Sequence, residues 1–377
     1  MNSELHPPFP FSIWERDIYH QSADVLIVGA GITGLSAACF LKQRNAGLQV
    51  TVVDQNIAPS GASTRNAGFA CFGSLGELLD DMAHQPEDKV WELVARRWNG
   101  FQLLCSLVPP ENMNYERCGG GELFADERSY ENAARFIPEA NRIMQQITGE
   151  PDVLSEDQLE NHNIIRNRIE GALHSGKMVQ SLQKRAELEG VTVCRGYKIN
   201  NVETGRAEIE GIGVIKADHI ILATNGYSQM LDENLPVDPA RGYVLVTEPL
   251  EHQPWHGTFH YDRGYVYFRH LSENRLLIGG CRNLDSSTEK TTQTGINPVV
   301  KNGVTGLVKD KLLPHWDGKI QQEWTGIMGF GPGKMPLVKQ YRRGVVLAAG
   351  LSGMGVALGA DIGRQAADMI SNSHEPD

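Results

Sequence analysis

Long apolar runs are scarce in this 377-residue chain. The longest nearly apolar stretch, VVLAAGLSGMGVALGA (345–360), has 16 residues and is broken by glycines. A membrane-crossing helix needs about 20, so no membrane span is expected. The first twenty residues hold Glu4, Glu15, Arg16, Asp17 and several prolines, and lack the apolar core of a secretory signal. Cysteine is sparse and unpatterned. Cys39, Cys71, Cys105, Cys118, Cys194 and Cys281 form no C-x-x-C, and several fall in apolar runs, which points to free thiols in a reducing, cytoplasmic compartment. Positive charge is not in excess. The net charge is −11 with no arginine-rich arm, which argues against nucleic-acid or anionic-membrane partners. Repeats, low-complexity tracts and a nucleophile–base pattern are also missing. His252, His256 and His260 recur every four residues, but Pro254 and Gly257 interrupt any helix there. A loop and no metal site are expected. KQYRRG (339–344) reads as a solvated hairpin.

What is present begins at DVLIVGAGITGLSAACFL, Asp24 to Leu41. Val25 to Val28 would form a buried parallel strand. Gly29, Gly31 and Gly34 then make G-x-G-x-x-G, which allows a tight turn, close approach of a pyrophosphate, and close helix packing in that order. A helix over about 33–45 would aim its free N–H groups and dipole at the phosphates. LQVTVVD follows as a second strand ending at Asp54, twenty residues after Gly34, where an acid can bond a ribose hydroxyl. The order of strand, glycines, helix, strand and acid identifies a Rossmann-type turn.

The first unit runs to about Pro59. SGASTRNAGFACFGS is followed by a helical region from Leu75 to about Val108. GGGELFADE suggests a short strand, and helices are expected over Ser129–Thr148 and Met178–Glu189. VTVCRG and ADHIILATNG read as buried strands. RGYVLVTEPL, GYVYFRHL and NRLLIGGCRN alternate and are β-branched or aromatic, as antiparallel strands are. The C-terminal stretch returns to strand, glycine turn and helix. The fold class is therefore α/β. An interrupted Rossmann-type domain (1–75, 150–235 and 320–377) would be joined to a second domain of mixed antiparallel sheet plus helices (76–149 and 236–319). Glycine turns at both ends of the chain suit a molecule with two ends. Arg65, in the small-residue loop after Asp54, could lie on phosphate or on an electron-rich ring, or simply in solvent.

Four segments, DVLIVGAGITGLSAA…VTVVD, GASTRNAGFA, ADHIILATNGYS and GVVLAAGLSGMGVALGADIGRQAADMI, together with WTGIMGFGPGKMPLV, resemble the D-amino-acid-oxidase-type family of FAD-dependent oxidoreductases. FSIWERD places the chain nearest the γ-glutamylputrescine-oxidase and glycine- and sarcosine-oxidase-like branch. The resemblance implies that Gly29, Gly31, Ile32, Thr33 and Gly34 hold the FAD pyrophosphate. Asp54 and Gln55 would meet the adenosine ribose, although glutamate is commoner in the family at the first of these. Ser63, Thr64, Arg65, Asn66, Ala67 and Gly68 would line the cofactor between pyrophosphate and ring. Ile199, Ala223, Thr224 and Asn225 would flank the adenine half. Gly350, Gly353, Met354, Gly355 and Val356 would sit under the N1–C2=O edge, where a helix N-terminus stabilises the charge of reduced flavin.

The substrate would lie under the antiparallel sheet. Tyr265 and Tyr267 alternate onto one strand face and could enter the pocket or simply pack the sheet. Arg241 and Arg269 could bind a carboxylate or end their strands in solvent. Met328 stands where amino-acid oxidases of the family place the arginine that clamps an α-carboxylate. A thioether cannot make that bidentate bond. The cysteine that some members bond to flavin is absent from 324–337, so FAD should be non-covalent. The lysine some members use with oxygen is not evident in NRLLIGGCRN, which leaves the electron acceptor open. The expected function is oxidation of the C–N bond of a small amine or N-substituted amino acid. The alternatives are a hydroxy-acid dehydrogenase, an RNA-modifying flavin oxidase and a non-catalytic flavin-binding protein.

Overall fold

The computed structural model describes residues 11–19 and 21–372. Two eight-stranded sheets organise the chain. The first runs in the order Leu337–Arg342, Val345–Ala349, Gly213–Leu222, Ala23–Val28, Val50–Asp54 and Thr192–Arg195, with Ile199–Glu203 and Arg206–Ile209 attached to the third of these. The five inner pairings are parallel except for the hairpin of the first two strands. Val25, Leu26 and Ile27 have no exposed surface, as a central parallel strand covered on both faces requires. Helices Ile32–Arg44 and Gly355–Asn372 lie against each other. Their closeness depends on Gly363, where a Cβ would stand 2.6 Å from the Thr33 carbonyl oxygen.

The second sheet runs Ile320–Phe330, Asp238–Thr247, Arg275–Gly280, Val266–Leu271, Thr258–Tyr261, Gly120–Leu123, His162–Asn167 and Leu154–Leu159. All its pairings are antiparallel except Thr258–Tyr261 with Gly120–Leu123. Side chains alternate. Phe259 and Phe268 stack at 5.2 Å in an apolar layer with Trp255, Val300 and Val304, while His260 and Tyr267 point to the opposite side. Helix Pro298–Leu307 closes the apolar layer. It starts at Asn297, whose side chain accepts the Val299 N–H at 2.9 Å.

Several sequence expectations need correction. The helical region after Leu75 is two helices, Leu75–Met82 and Glu87–Leu107, divided at Pro86, which caps the second. The helix expected from Ser129 starts at Glu127, capped by Asp126, and the one expected from Met178 starts at Ser175. Strands Leu154–Leu159, His162–Asn167 and Ile320–Phe330 were assigned with the Rossmann unit but pair in the second sheet. The first two form a polar edge hairpin, and Gly326 and Gly329 blur the alternation of the third. Helix Glu87–Leu107, assigned with the substrate side, packs on Gly355–Asn372, where Asp361 accepts two hydrogen bonds from Arg96 at 3.1 Å. Among the described residues all six cysteines are free, and no helix is long and apolar enough to cross a membrane.

Candidate active site

One cavity of about 620 Å³ lies between the two sheets, within the roughly 300–1,000 Å³ typical of ligand sites. Its first end is the glycine turn. Gly29 has φ +111°, and a Cβ there would stand 2.6 Å from the Ala223 carbonyl oxygen. At Gly31 a Cβ would fall 2.8 Å from Ser63 Oγ, which accepts the Ile32 N–H at 3.0 Å. Gly34 does not line the cavity. It lets the helix press onto the turn, since a Cβ would meet the Gly29 carbonyl oxygen at 1.9 Å. Asp54 accepts the Ala30 and Asn56 N–H groups, each at 2.9 Å. Ile32, Thr33, Gln55, Ile199, Ala223, Thr224 and Asn225 complete this end.

The middle is the short helix Ala62–Arg65 and the loop after it. Ser63, Thr64, Arg65, Asn66 and Ala67 line the wall, and Gly68 sits behind it against Leu173. Arg65 Nη1 donates to the Thr325 carbonyl at 2.7 Å, and the Trp324 indole donates to the Arg65 carbonyl at 2.9 Å. Strand Ile320–Phe330 therefore locks this loop in place. Asn225 Oδ1 accepts the Gly350 N–H at 3.0 Å, joining the two late turns; Gly350 itself lies off the wall. Gly353, Met354, Gly355 and Val356 present the start of the last helix to the cavity. This elongated cradle, in which a Cβ at Gly31 would crowd the Ser63 hydroxyl, could hold an extended dinucleotide.

At the far end Tyr265, Tyr267 and Met328 line the cavity. Tyr265 precedes its strand and is partly exposed, whereas burial pushes the Tyr267 hydroxyl up to about 12. Arg241 and Arg269 do not line it. Arg241 is 8% exposed and grips Glu289, itself 1% exposed, through two bonds of 2.9 and 2.8 Å. Arg269 is turned away, donating to the Leu173 carbonyl at 3.1 Å, and burial lowers its pKa. Both arginines were candidate carboxylate ligands. Their strand positions aim them instead at partners inside the protein.

Other residues stand in or behind the chamber that the sequence does not assign to it. His260 lies on strand Thr258–Tyr261 rather than in a loop, with Nε2 3.2 Å from Glu170 Oε2. Burial disfavours its charge, but Glu170 and the neighbouring Cys71 hold its pKa well above the usual histidine value. His252 and His256 lie elsewhere, beside Glu160 and His270, and no metal-binding group of three forms among the described residues. Glu122 pairs in register with His260 on the adjacent strand. Burial raises its carboxyl to about 7, against hydrogen bonds from the Gly76 N–H and the Ser74 hydroxyl. Glu77 is half-buried, but Arg97 and Lys334 overcome the desolvation and hold it at about 2. A lone histidine and scattered acids carry no spacing pattern, because these groups come from a helix, a loop and two strands that meet only in the fold.

A family model described as FAD dependent oxidoreductase matches residues 24–369. The probable oxidoreductase OrdL of Rhizobium meliloti is 28% identical over 388 residues, covering 96% of this chain and 85% of its own length. The bifunctional protein ThiO/ThiG of Synechocystis is 25% identical, covering 87% of this chain and 50% of its own length. Among solved structures, glycine oxidase from Geobacillus kaustophilus superposes with a TM-score of 0.75 at 20% identity, over 94% of this chain and 95% of its own. Iminodiacetate oxidase from Chelativorans sp. BNC1 gives 0.74 at 19% identity, over 93% and 96%. These two share the fold. The family match takes in both glycine turns, both sheets and the cavity between them, and on it the chain belongs to the FAD-dependent oxidoreductases.

Proposed function

We propose that this enzyme oxidises the C–N bond of a small amine or N-substituted amino acid, using FAD held without a covalent bond. One observation carries the reading: a single cavity joins a glycine turn fit for a dinucleotide to an aromatic chamber under the second sheet. In this reading Gly29, Gly31 and Ser63 hold the pyrophosphate, and Asp54 the ribose. Ile199, Ala223 and Thr224 flank the adenine. The loop from Arg65 to Gly68 and the turn from Gly353 to Val356 hold the ring. When bound, FAD supplies the hydride acceptor, its ring N5, and the imine left behind hydrolyses in water. The chain supplies position and dryness. Phe69 meets Tyr267 and His260 edge-on at 5.7 and 5.6 Å, an aromatic wall that would limit water at the reacting carbon. Met328 adds to it, with its sulfur near Gly353. The absence of cysteine from 324–337 supports non-covalent FAD.

The names of the similar proteins favour amines and amino acids over hydroxy acids, since glycine and iminodiacetate are both C–N substrates. The test is anaerobic loss of the flavin absorbance across panels of amines, amino acids and hydroxy acids, with product analysis. Bleaching by an amine with stoichiometric release of amine or ammonia is expected. Bleaching by hydroxy acids alone would refute the reading. Acid treatment should release unmodified FAD, and flavin that stays with the denatured chain would refute the non-covalent part.

A further inference from the structure

Six lysine and arginine side chains line the cavity, and four of them are paired with acids; His260 is paired with Glu170. Arg97 meets Glu77, Arg263 meets Asp80, Lys334 meets Glu77 and Asp81, and Lys198 meets Glu210. Arg65 is tied to the Thr325 carbonyl. The sixth is Arg282, at the start of the turn Arg282–Asp285 that follows strand Arg275–Gly280. Its guanidinium has neither an acidic nor a hydrogen-bonding partner among the described residues. It lies 4.8 Å from the centre of the Phe330 ring. A cation over an aromatic face is held in orientation by the ring while its N–H edge stays available.

Phe330 is two residues beyond Met328 on one strand, so both side chains share a face, about 7 Å apart along the strand. Arg282 thus brings a guanidinium to the same wall as the methionine that cannot bind a carboxylate. Arg241 is held by Glu289, and Arg269, bonded through one nitrogen to the Leu173 carbonyl, stands off the cavity wall. An anion entering this chamber would therefore meet one unpaired, pre-oriented fork of donors, which suits a planar carboxylate.

We infer that Arg282, stacked on Phe330, is the anion anchor of this cavity and selects amines that carry a carboxylate beyond the α-carbon. The inference rests on the amine-oxidation reading for the word amine, but not for the anchor. Because the anchor is displaced from position 328, the carboxylate sits farther from the reacting carbon than in an α-amino acid. Glycine and D-alanine would be poorly held, and ω-amino acids better.

The test uses the FAD-loaded protein and unreactive probes. Butyrate and benzoate are titrated against their uncharged partners, butyramide and benzamide, with binding read as a perturbation of the flavin spectrum and by calorimetry. The wild type is expected to prefer the acids. Arg282→Met should weaken the acids about tenfold or more and leave the amides within about twofold, with FAD content and melting temperature unchanged. Phe330→Leu should give a smaller loss of the same kind. Should Arg282→Met fail to fold, Arg282→Gln carries the same comparison. Acids bound no better than amides by the wild type, or a loss shared by the amides or absent in the variant, would overturn the inference. If the titrations behave as expected but no amine bleaches the flavin, the amine-oxidation reading fails and the anchor stands.

Discussion

The two ends of the cavity are built from different materials. The glycine-turn end, where the nucleotide is proposed to lie, is mostly backbone: three glycines, the starts of two helices, and hydroxyl and carboxylate groups that brace the turn. The far end, proposed to take the substrate, is mostly side chains from segments far apart in sequence, among them Phe69, His260, Arg282 and Met328. Backbone binding needs room, so a single added carbon damages it. Side-chain binding needs paired charges and packed rings, so its weak points are the groups left alone when a partner is removed.

The sharpest way to break this comparison is at Gly31. Gly31→Val puts a branched side chain where even a Cβ would stand 2.8 Å from Ser63 Oγ. FAD per chain should fall at least about tenfold, by the overpacking cost of one to several kcal/mol. Full FAD occupancy in the variant would mean that the turn does not face the cofactor. Arg241→Ala acts on stability instead. It leaves Glu289 buried without its partner, and breaking such a pair costs about 3–5 kcal/mol. Urea denaturation should show that loss, with probe binding in the cavity unchanged at low denaturant. A ligand-specific defect with normal stability would return Arg241 to the substrate end.

The third concerns Glu122. Its carboxyl is raised to about 7 in the folded protein, above the unfolded value, so the native state holds the proton more tightly. The stabilisation is full below about pH 4.5 and is lost as pH rises through about 7. Glu122→Gln should remove that loss, flattening stability between these limits by ~3 kcal/mol at 1.4 kcal/mol per pKa unit. Denaturation midpoints measured across this window check it. Identical pH slopes in both proteins would remove Glu122 from the account.

The same contrast explains what was legible in the sequence. Gly29, Gly31, Gly34 and Asp54 act within one local βαβ unit, so their spacing is their geometry, and all but Gly34 stand on the cavity wall. The loop from Ser63 to Ala67 and the turn at Gly353–Val356 were readable from family likeness and also line it. Arg241 misled because its strand position was clear but its partner, Glu289, lies 48 residues away on another segment. His260 was hidden for the converse reason. No local spacing points to Glu170, 90 residues away. The edge hairpin 154–167 escaped because its strands are too polar to show a buried face.

The bond between Arg65 and Thr325 spans 260 residues, and strand Val345–Ala349 joins the first sheet beside Gly213–Leu222. Such long-range closures form late and slowly, because the loop must be ordered before any contact rewards it. On the ribosome the glycine turn emerges early, yet its cradle waits for the strand that locks the 62–68 loop and for the helix that presents Gly353–Val356. The growing chain thus carries a sheet that lacks its last two strands from Leu222 until Leu337 is made, the interval in which chaperones would act on it. FAD, by holding the two ends of the chain together, would then trap the completed fold.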